Sequence, residues 1–116
     1  MTESMKIYIA GPYSADTAAQ RQANTTAAID AGLAMLELGH YPFIPHLTHY
    51  VDKRAEELDI EMEWEDYIEW DSQFLQDCDA FLYLGSSTGA DLERERAEEL
   101  GLNIYTDIES VPESNT

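Results

Sequence analysis

The fold is decided by residues 79–101, DAFLYLGSSTGADLERERAEELG. The apolar run from Ala80 to Leu84 predicts a strand buried on both faces, because such a strand loses the alternation of polar and apolar residues. Small residues at 85–89 follow it, and Thr88 and Asp91 form a short capping box at the start of a helix. This order of strand, small polar loop and helix N-terminus points free N–H groups at a ligand above the sheet.

The sequence predicts three more strands, Lys6–Ala10, Tyr41–Ile44 and Leu102–Tyr105. The second of these contains Pro42, which suits a strand at the edge of a sheet because proline cannot donate a ladder hydrogen bond. Each of the three is short and rich in aromatic or branched side chains, as expected of strands in a small α/β domain.

Apolar spacing indicates two more helices. The first runs from Ala18 to Leu38, and its apolar stripe is formed by Ile29, Leu33 and Leu36. The second begins at Trp64, and one face of it carries the side chains of Tyr67, Asp71, Phe74 and Cys78. The second helix therefore places an acid within a stripe that is otherwise apolar.

The elements alternate in the order β-α-β-loop-α-β-α-β, with Pro45–Tyr50 as the loop. Right-handed crossovers then give a small, doubly wound, three-layer α/β fold, flavodoxin- or Rossmann-like, with a parallel sheet of strand order 2-1-3-4. In that order Gly11 and Ser87 lie side by side at the switch point, where open sheets bind ligands. Residues 1–108 are expected to form this domain, and residues 109–116 a disordered polar tail.

Acidic residues dominate the composition, since 24 Asp and Glu against 6 Lys and Arg give a formal net charge of −18. Nucleic-acid binding is therefore disfavoured, because no basic patch is available to neutralise phosphates. Apolar residues make up 44% of the chain in periodic runs, which argues against disorder. A halophilic protein fits better, because the Debye length falls to about 3 Å at molar salt and surface acids repel one another less.

The compartment is suggested by cysteine usage and by the N-terminus. A single cysteine, Cys78, allows no disulfide framework, so a cytoplasmic location is expected. The first residues, MTESMK, lack a signal-peptide pattern, and no run of about 18 apolar residues occurs, so neither export nor a membrane span is expected.

Two acids are candidates for chemistry. Glu93 lies in the second turn of the helix after the central loop, close to the expected crevice, although it could equally be one of several solvated acids on that helix. Asp71 needs a partner or a task, because burying a bare carboxylate is costly; a cap or an ion pair with an arginine is the alternative. His46 and His49 have H-x-x-H spacing without a third ligand in an evident pattern, so neither a metal nor a cofactor is expected.

Four motifs occur in order between Lys6 and Tyr105: YIAGPY at 8–13, PFIPHLTH at 42–49, Asp71 followed eight residues later by Asp79, and STGADLE at 87–93. Together they resemble the nucleoside 2-deoxyribosyltransferase superfamily, and in particular its small DUF4406-like members. Each motif alone is weak, but the four at fitting distances are more specific.

The resemblance implies an enzyme that cleaves the N-glycosidic bond of a nucleoside or a nucleoside 5′-monophosphate. It implies that Glu93 attacks the anomeric carbon, that Asp71 assists and that Tyr8 orients the glutamate. Such roles agree with an oxocarbenium-like transition state, which is stabilised by a carboxylate at its face. The residues expected to bind substrate are Gly11, Pro12, Tyr13, His46, Ser86, Ser87 and Gly89.

Two departures from the family pattern leave hydrolysis and 2-deoxyribosyl transfer both open. Glu95 stands where many of the hydrolases have glycine, and no counterpart is evident for the asparagine that the transferases donate from a neighbouring subunit. The small residues at 86–89 suit a 5′-phosphate, whereas the net charge of −18 opposes one. Base and sugar preference also stay open.

A homodimer or higher homo-oligomer is expected from the resemblance, and Trp64 and Trp70 are interpreted as core or subunit-interface residues. The alternative function is a non-catalytic module that binds or senses a nucleotide, since a fold alone does not determine activity. A P-loop kinase is excluded, because no Gly-Lys-Ser/Thr follows the glycines.

Overall fold

The computed structural model describes residues 2–115, whose core is a four-stranded parallel sheet in the order β2-β1-β3-β4. The strands are β1 (Lys6–Ala10), β2 (Tyr41–Phe43), β3 (Ala80–Tyr83) and β4 (Asn103–Tyr105). This confirms the predicted doubly wound α/β fold and its strand order, including the edge position of Pro42.

Helices cover both faces of the sheet. They are α1 (Ala18–Glu37), α2 (Thr48–Glu57), α3 (Trp64–Leu75) and α4 (Thr88–Glu99), with short 3-10 turns at Pro45–Leu47 and Ile108–Ser110. One core cluster joins α1 to the side chains of Ile7, Ile9 and Leu82, and the other joins α3 and α4 to Tyr8 and Phe81. Successive strand residues therefore point to opposite faces of the sheet, and helices bury the side chains on both faces, as in other parallel sheets.

The buried face of α1 differs from the predicted stripe. Leu33 and Leu36 are each 53% exposed, and the helix instead buries the small residues Ala28, Ala31 and Gly32 together with Met35. A Cβ atom added at Gly32 would lie 2.4 Å from Ile44 Cδ1, so the glycine is what lets this helix approach β2. The prediction was wrong because α1 carries apolar residues around most of its circumference. Packing against the sheet buries the face that carries the smaller ones.

The segment predicted to be a loop at Pro45–Tyr50 is a 3-10 turn that leads directly into α2. There is little sign of this helix in the sequence, since only Ala55 of α2 is buried. Its position matters for function, because α2 forms one wall of the crevice above the sheet.

The prediction that residues 109–116 form a disordered tail is also wrong for the part that the structure describes. Val111 is buried in the core cluster with α1, and the Ser114 N–H donates a hydrogen bond to Leu38 O at 2.8 Å. Thr2 N donates to Glu113 O at 3.0 Å, so the C-terminal segment is tied to the chain's beginning. Thr116 lies outside the described residues. None of the helices in the described part of the chain is both long and apolar enough to cross a membrane.

Candidate active site

A cavity of about 630 Å³ opens at the carboxyl ends of β1 and β3, where the chain crosses from one side of the sheet to the other. Its walls come from the loop after β1, the 3-10 turn and α2, the inward face of α3 and the first turns of α4. The lining residues are Gly11, Tyr13, Ser14, Pro45, His46, Thr48, Asp52, Met62, Trp64, Tyr67, Ile68, Asp71, Ser87, Thr88, Gly89, Ala90 and Glu93. This position is the expected ligand site of a doubly wound sheet.

Glu93 reaches this cavity from α4 and is held there by Tyr8. The fully buried Tyr8 hydroxyl donates a hydrogen bond to Glu93 Oε2. The Tyr8 ring lies parallel to Phe81, with centroids 5.8 Å apart, and is tilted against Phe43. Burial and the neighbouring Glu93 carboxylate raise the pKa of Tyr8 far above its ordinary value, so the phenol stays protonated and remains a donor.

Asp71 enters the cavity from α3, a helix whose start at Trp64 is set by a capping box between Glu63 and Asp66. The Asp71 side chain is only 7% exposed, and its Oδ1 atom has no hydrogen-bond partner among the described residues. Buried oxygens of this kind are rare and are often completed by a ligand.

Both carboxyl groups hold protons more tightly than exposed ones do. Burial raises the pKa of Asp71 to about 7, and the Glu93 charge adds to this effect. Burial also raises the pKa of Glu93 to about 7, but the hydrogen bond from Tyr8 acts in the opposite direction. Because Glu93 receives a hydrogen bond from Tyr8 and Asp71 Oδ1 receives none, the surroundings favour the charged form of Glu93 more than that of Asp71.

The start of α4 forms another wall. Ser87 caps the helix, since its Oγ accepts a hydrogen bond from Ala90 N at 3.1 Å; the predicted capping box at Thr88 is one residue too late. Ser87 and Gly89 line the cavity, and a Cβ added at Gly89 would meet no atom within 4 Å. Ser86 does not line it, because its hydroxyl turns to Asp91 Oδ2 at 2.7 Å.

The loop after β1 is locked by His46. The His46 Nε2 atom lies 3.1 Å from both Gly11 O and Pro12 O, so Nε2 carries the proton. Burial lowers the pKa of His46, and its Nδ1 has no partner among the described residues although the ring lines the cavity. His46 thus lines the cavity as a neutral ring whose Nδ1 is buried, while Pro12 contributes only its carbonyl to this lock.

Tyr13 lines the cavity from the same loop, and its hydroxyl lies 2.7 Å from His49 Nδ1. The two histidines of the H-x-x-H spacing therefore hydrogen-bond to different groups, although both rings lie edge-on to Tyr13. Within residues 2–115, no group of three or more His, Cys, Asp or Glu side chains is placed to hold a metal ion.

Sequence reasoning missed the wall that α2 and the following segment contribute. Asp52 lines the cavity, and its Oδ1 accepts a hydrogen bond from the Tyr67 hydroxyl at 2.9 Å. Thr48 and Asp52 are four residues apart and both line the cavity, which is the spacing of one helix face. That spacing was the available signal, and it was lost when residues 45–50 were interpreted as a loop.

The structure therefore brings together Asp71 and Glu93 with five of the seven expected substrate-binding residues, namely Gly11, Tyr13, His46, Ser87 and Gly89. Tyr8 lies beneath the cavity, in contact with Glu93. Pro12 and Ser86 are neighbours of the cavity that do not line it.

One family model covers most of the chain. Residues 5–106 match the model of a family described as a domain of unknown function, DUF4406. The chain belongs to the DUF4406 family. The matched region contains every strand and all four α-helices, and it includes the whole cavity lining. No curated protein matches the chain significantly.

Proposed function

We propose that this DUF4406 protein cleaves the N-glycosidic bond of a nucleoside, or of a nucleoside 5′-monophosphate, as in the nucleoside 2-deoxyribosyltransferase superfamily that its motifs resemble. One observation carries the proposal: Glu93 and Asp71 line one cavity, and only Glu93 receives a hydrogen bond from a buried tyrosine. Carboxyl groups in unlike environments take the roles of nucleophile and acid.

In the proposed first step, Glu93 attacks the anomeric carbon and forms a glycosyl ester while the C1′–N bond breaks. The departing base takes its electron pair with it and receives the proton held by Asp71. Tyr8 keeps the reacting carboxylate of Glu93 aimed at the sugar. Attraction to the developing positive charge at C1′ is strong here because the site is partly closed to water.

In the second step, the ionised Asp71 accepts a proton from water or from an incoming base, which attacks the ester and frees Glu93. Water gives hydrolysis, and a base gives transfer. Both leave the enzyme in its starting protonation state, so the cycle balances. The walls formed by Tyr13, Trp64 and Tyr67 supply flat apolar surface suited to a nucleobase.

The test is a panel of ribo- and deoxynucleosides and their 5′-monophosphates, incubated with the protein in KCl and analysed for free base by chromatography. We expect release by the wild type and a loss of at least about 10³-fold in Glu93→Gln, which removes the nucleophile but keeps the shape. Glu95→Gln is the matched control, since Glu95 is an exposed acid two residues along the same helix and does not line the cavity.

Base release that survives Glu93→Gln undiminished would refute the mechanism. Ligand binding without release, in the wild type and in Glu93→Gln alike, would instead establish the non-catalytic nucleotide-binding module.

We also propose a cytoplasmic, halophilic setting for this activity. The supporting observations are the charge of −18 and the three ion pairs found among the described residues, one in α2 and two in α4, all exposed and each between near neighbours on the same helix. Such pairs contribute little and leave most acids unbalanced. A melting temperature that does not rise between 0.1 and 2 M KCl would contradict the halophilic part.

A homo-oligomer is proposed on the exposure of large apolar side chains. Trp64 and Trp70 are 50% and 39% exposed, so the core interpretation of these two is wrong and the interface interpretation is the one that we propose. Light scattering after size-exclusion chromatography tests it, and a monomeric mass at micromolar concentration would refute it.

A further inference from the structure

The distribution of positive charge around the cavity is unusual for a site that would hold a phosphate. The chain has six Lys and Arg residues, all within the described part, and none of them lines the cavity. Arg54, Arg94 and Arg96 are paired with acids on their own helices. Arg21, whose charge acts on Tyr13, donates a hydrogen bond to Ala15 O at 2.8 Å.

Acidic side chains, by contrast, are concentrated in the lining. Asp52, Asp71 and Glu93 approach the cavity from three different helices, α2, α3 and α4. Carboxylate oxygens only accept hydrogen bonds, and at neutral pH a phosphate monoester also presents almost only acceptors. The cavity therefore offers a phosphate hydroxyl donors such as those of Ser14 and Thr88, but no Arg or Lys of the kind that normally binds it, and acidic side chains lie nearby.

At the α4 N-terminus, where the small residues suggested a phosphate cradle, the protein's own groups already use part of the hydrogen-bonding capacity. Ser87 Oγ is used to cap Ala90 N, and Ser86 Oγ donates to Asp91 Oδ2. The Asp91 carboxylate sits in the first turn and also accepts from the Tyr83 hydroxyl at 2.7 Å. Its full negative charge offsets the roughly half charge of the helix dipole that would otherwise attract an anion.

We propose that the cavity selects the unphosphorylated nucleoside and rejects its 5′-monophosphate. The proposal rests on the proposed function and names its substrate class. A 5′-hydroxyl can both donate to a carboxylate and accept from a helix N–H group, whereas a phosphate can only accept. The buried Asp71 Oδ1, which has no partner among the described residues, likewise requires a donor, and sugar hydroxyls are donors.

The experiment compares kcat/KM for a 2′-deoxynucleoside and for its own 5′-monophosphate, measured by base release at 0.3 M and 2 M KCl. We expect at least about a 10-fold preference for the nucleoside at both salt concentrations. Salt screens the long-range effect of the net charge but not contacts of a few ångströms, so a preference that vanished at 2 M KCl would overturn the local explanation.

Two charge-neutralising variants locate the effect. Asp52→Asn removes one negative charge from the lining and should reduce the preference at least threefold, chiefly by improving the monophosphate. Glu109→Gln removes one exposed charge at the 3-10 turn after β4, away from the lining, and should leave the preference unchanged. Equal effects of the two variants, or a monophosphate preference in the wild type, would overturn the proposal.

Equilibrium binding by calorimetry separates this proposal from the catalytic one. If neither compound releases base but only the nucleoside binds, the catalytic proposal fails and the selectivity proposal stands. If base is released from the monophosphate in preference to the nucleoside, the selectivity proposal fails and the catalytic proposal stands. Binding of neither compound overturns both.

Discussion

Buried polar groups are hydrogen-bonded at one end of the sheet and left partly unsatisfied at the other, and two histidines make the comparison direct. His40 lies at the end where the strands begin; its Nδ1 accepts from Met5 N at 3.1 Å and its Nε2 lies 2.6 Å from Pro112 O. His46 lies at the end where the strands finish, and only its Nε2 has partners among the described residues. Both rings are buried, with 1% and 5% of their surface exposed.

The end around His40 is closed by the chain itself. Ser4 Oγ donates to Gly39 O at 2.8 Å, and Ser114 N donates to Leu38 O, so the C-terminal segment covers the strand starts. At the other end, His46 Nδ1 and Asp71 Oδ1 are buried without a partner among the described residues, beside a cavity. Satisfied polar groups stabilise a fold, whereas unsatisfied ones cost free energy and mark the place where a ligand can supply the missing contacts.

The largest expected effect contrasts two aspartates eight residues apart, one at each end. Asp71→Asn removes the proton that the leaving base would receive, and base release should fall about 10²- to 10⁴-fold. Asp79→Asn is the matched control, since Asp79 Oδ2 accepts from Lys6 N at 2.9 Å at the closed end and an amide oxygen can replace it. Comparable losses of kcat in the two variants would contradict the division of the molecule into a closed end and an open end.

A second test opens the closed end. His40→Ala strands Met5 N and Pro112 O and leaves a cavity, so the free energy of unfolding should fall by about 3 kcal/mol. Chemical denaturation measures this, and faster hydrogen exchange at the Ser114 amide reports release of the C-terminal segment. Activity per folded molecule should not change, because the ring is remote from the cavity lining; a drop in kcat with unchanged stability would contradict the comparison.

The third and smallest effect concerns the dependence of stability on pH. Asp71 has a folded-state pKa of about 7, above the ordinary value near 4, so the folded protein binds more protons than the unfolded chain between these limits. Stability contributed by protonated Asp71 is therefore present at low pH and is lost as the pH rises from about 4 to about 7. Asp71→Asn removes this loss.

The free energy of unfolding of Asp71→Asn, minus that of the wild type, should accordingly be about 1–3 kcal/mol larger at pH 8 than at pH 5. Melting temperatures of both proteins at the two pH values measure the difference, and the many exposed acids cancel because they are common to both. The opposite sign would show that Asp71 is stabilised as a carboxylate, by a donor at the open end. In that case Asp71 could not be the acid of the proposed mechanism.

Much of this molecule follows from local sequence alone. The apolar run at Ala80, the small residues after it and the acidic helix beyond them predict a buried parallel strand that leads into a helix N-terminus, and the structure has both. Short-range signals suffice there because a strand buried on both faces must be covered by helices on both sides of the sheet. The right-handedness of the crossovers then leaves few possible topologies. Asp71 was identified for a similar reason, since a charge within an apolar stripe is conspicuous in the sequence.

What depended on tertiary structure was the choice among locally equivalent faces and segments. Helix α1 is apolar around most of its circumference, so its packing against the sheet decides which face is buried, with Met35 and small alanine residues in the core. Helix α2 buries only Ala55, and the segment around Val111 is short and mostly polar; partners distant in sequence, such as Tyr67 for Asp52, help to hold them in place. The exclusion of every Lys and Arg from the cavity is likewise a property of the assembled fold, because the helix faces that line the cavity are determined by how the helices pack on the sheet.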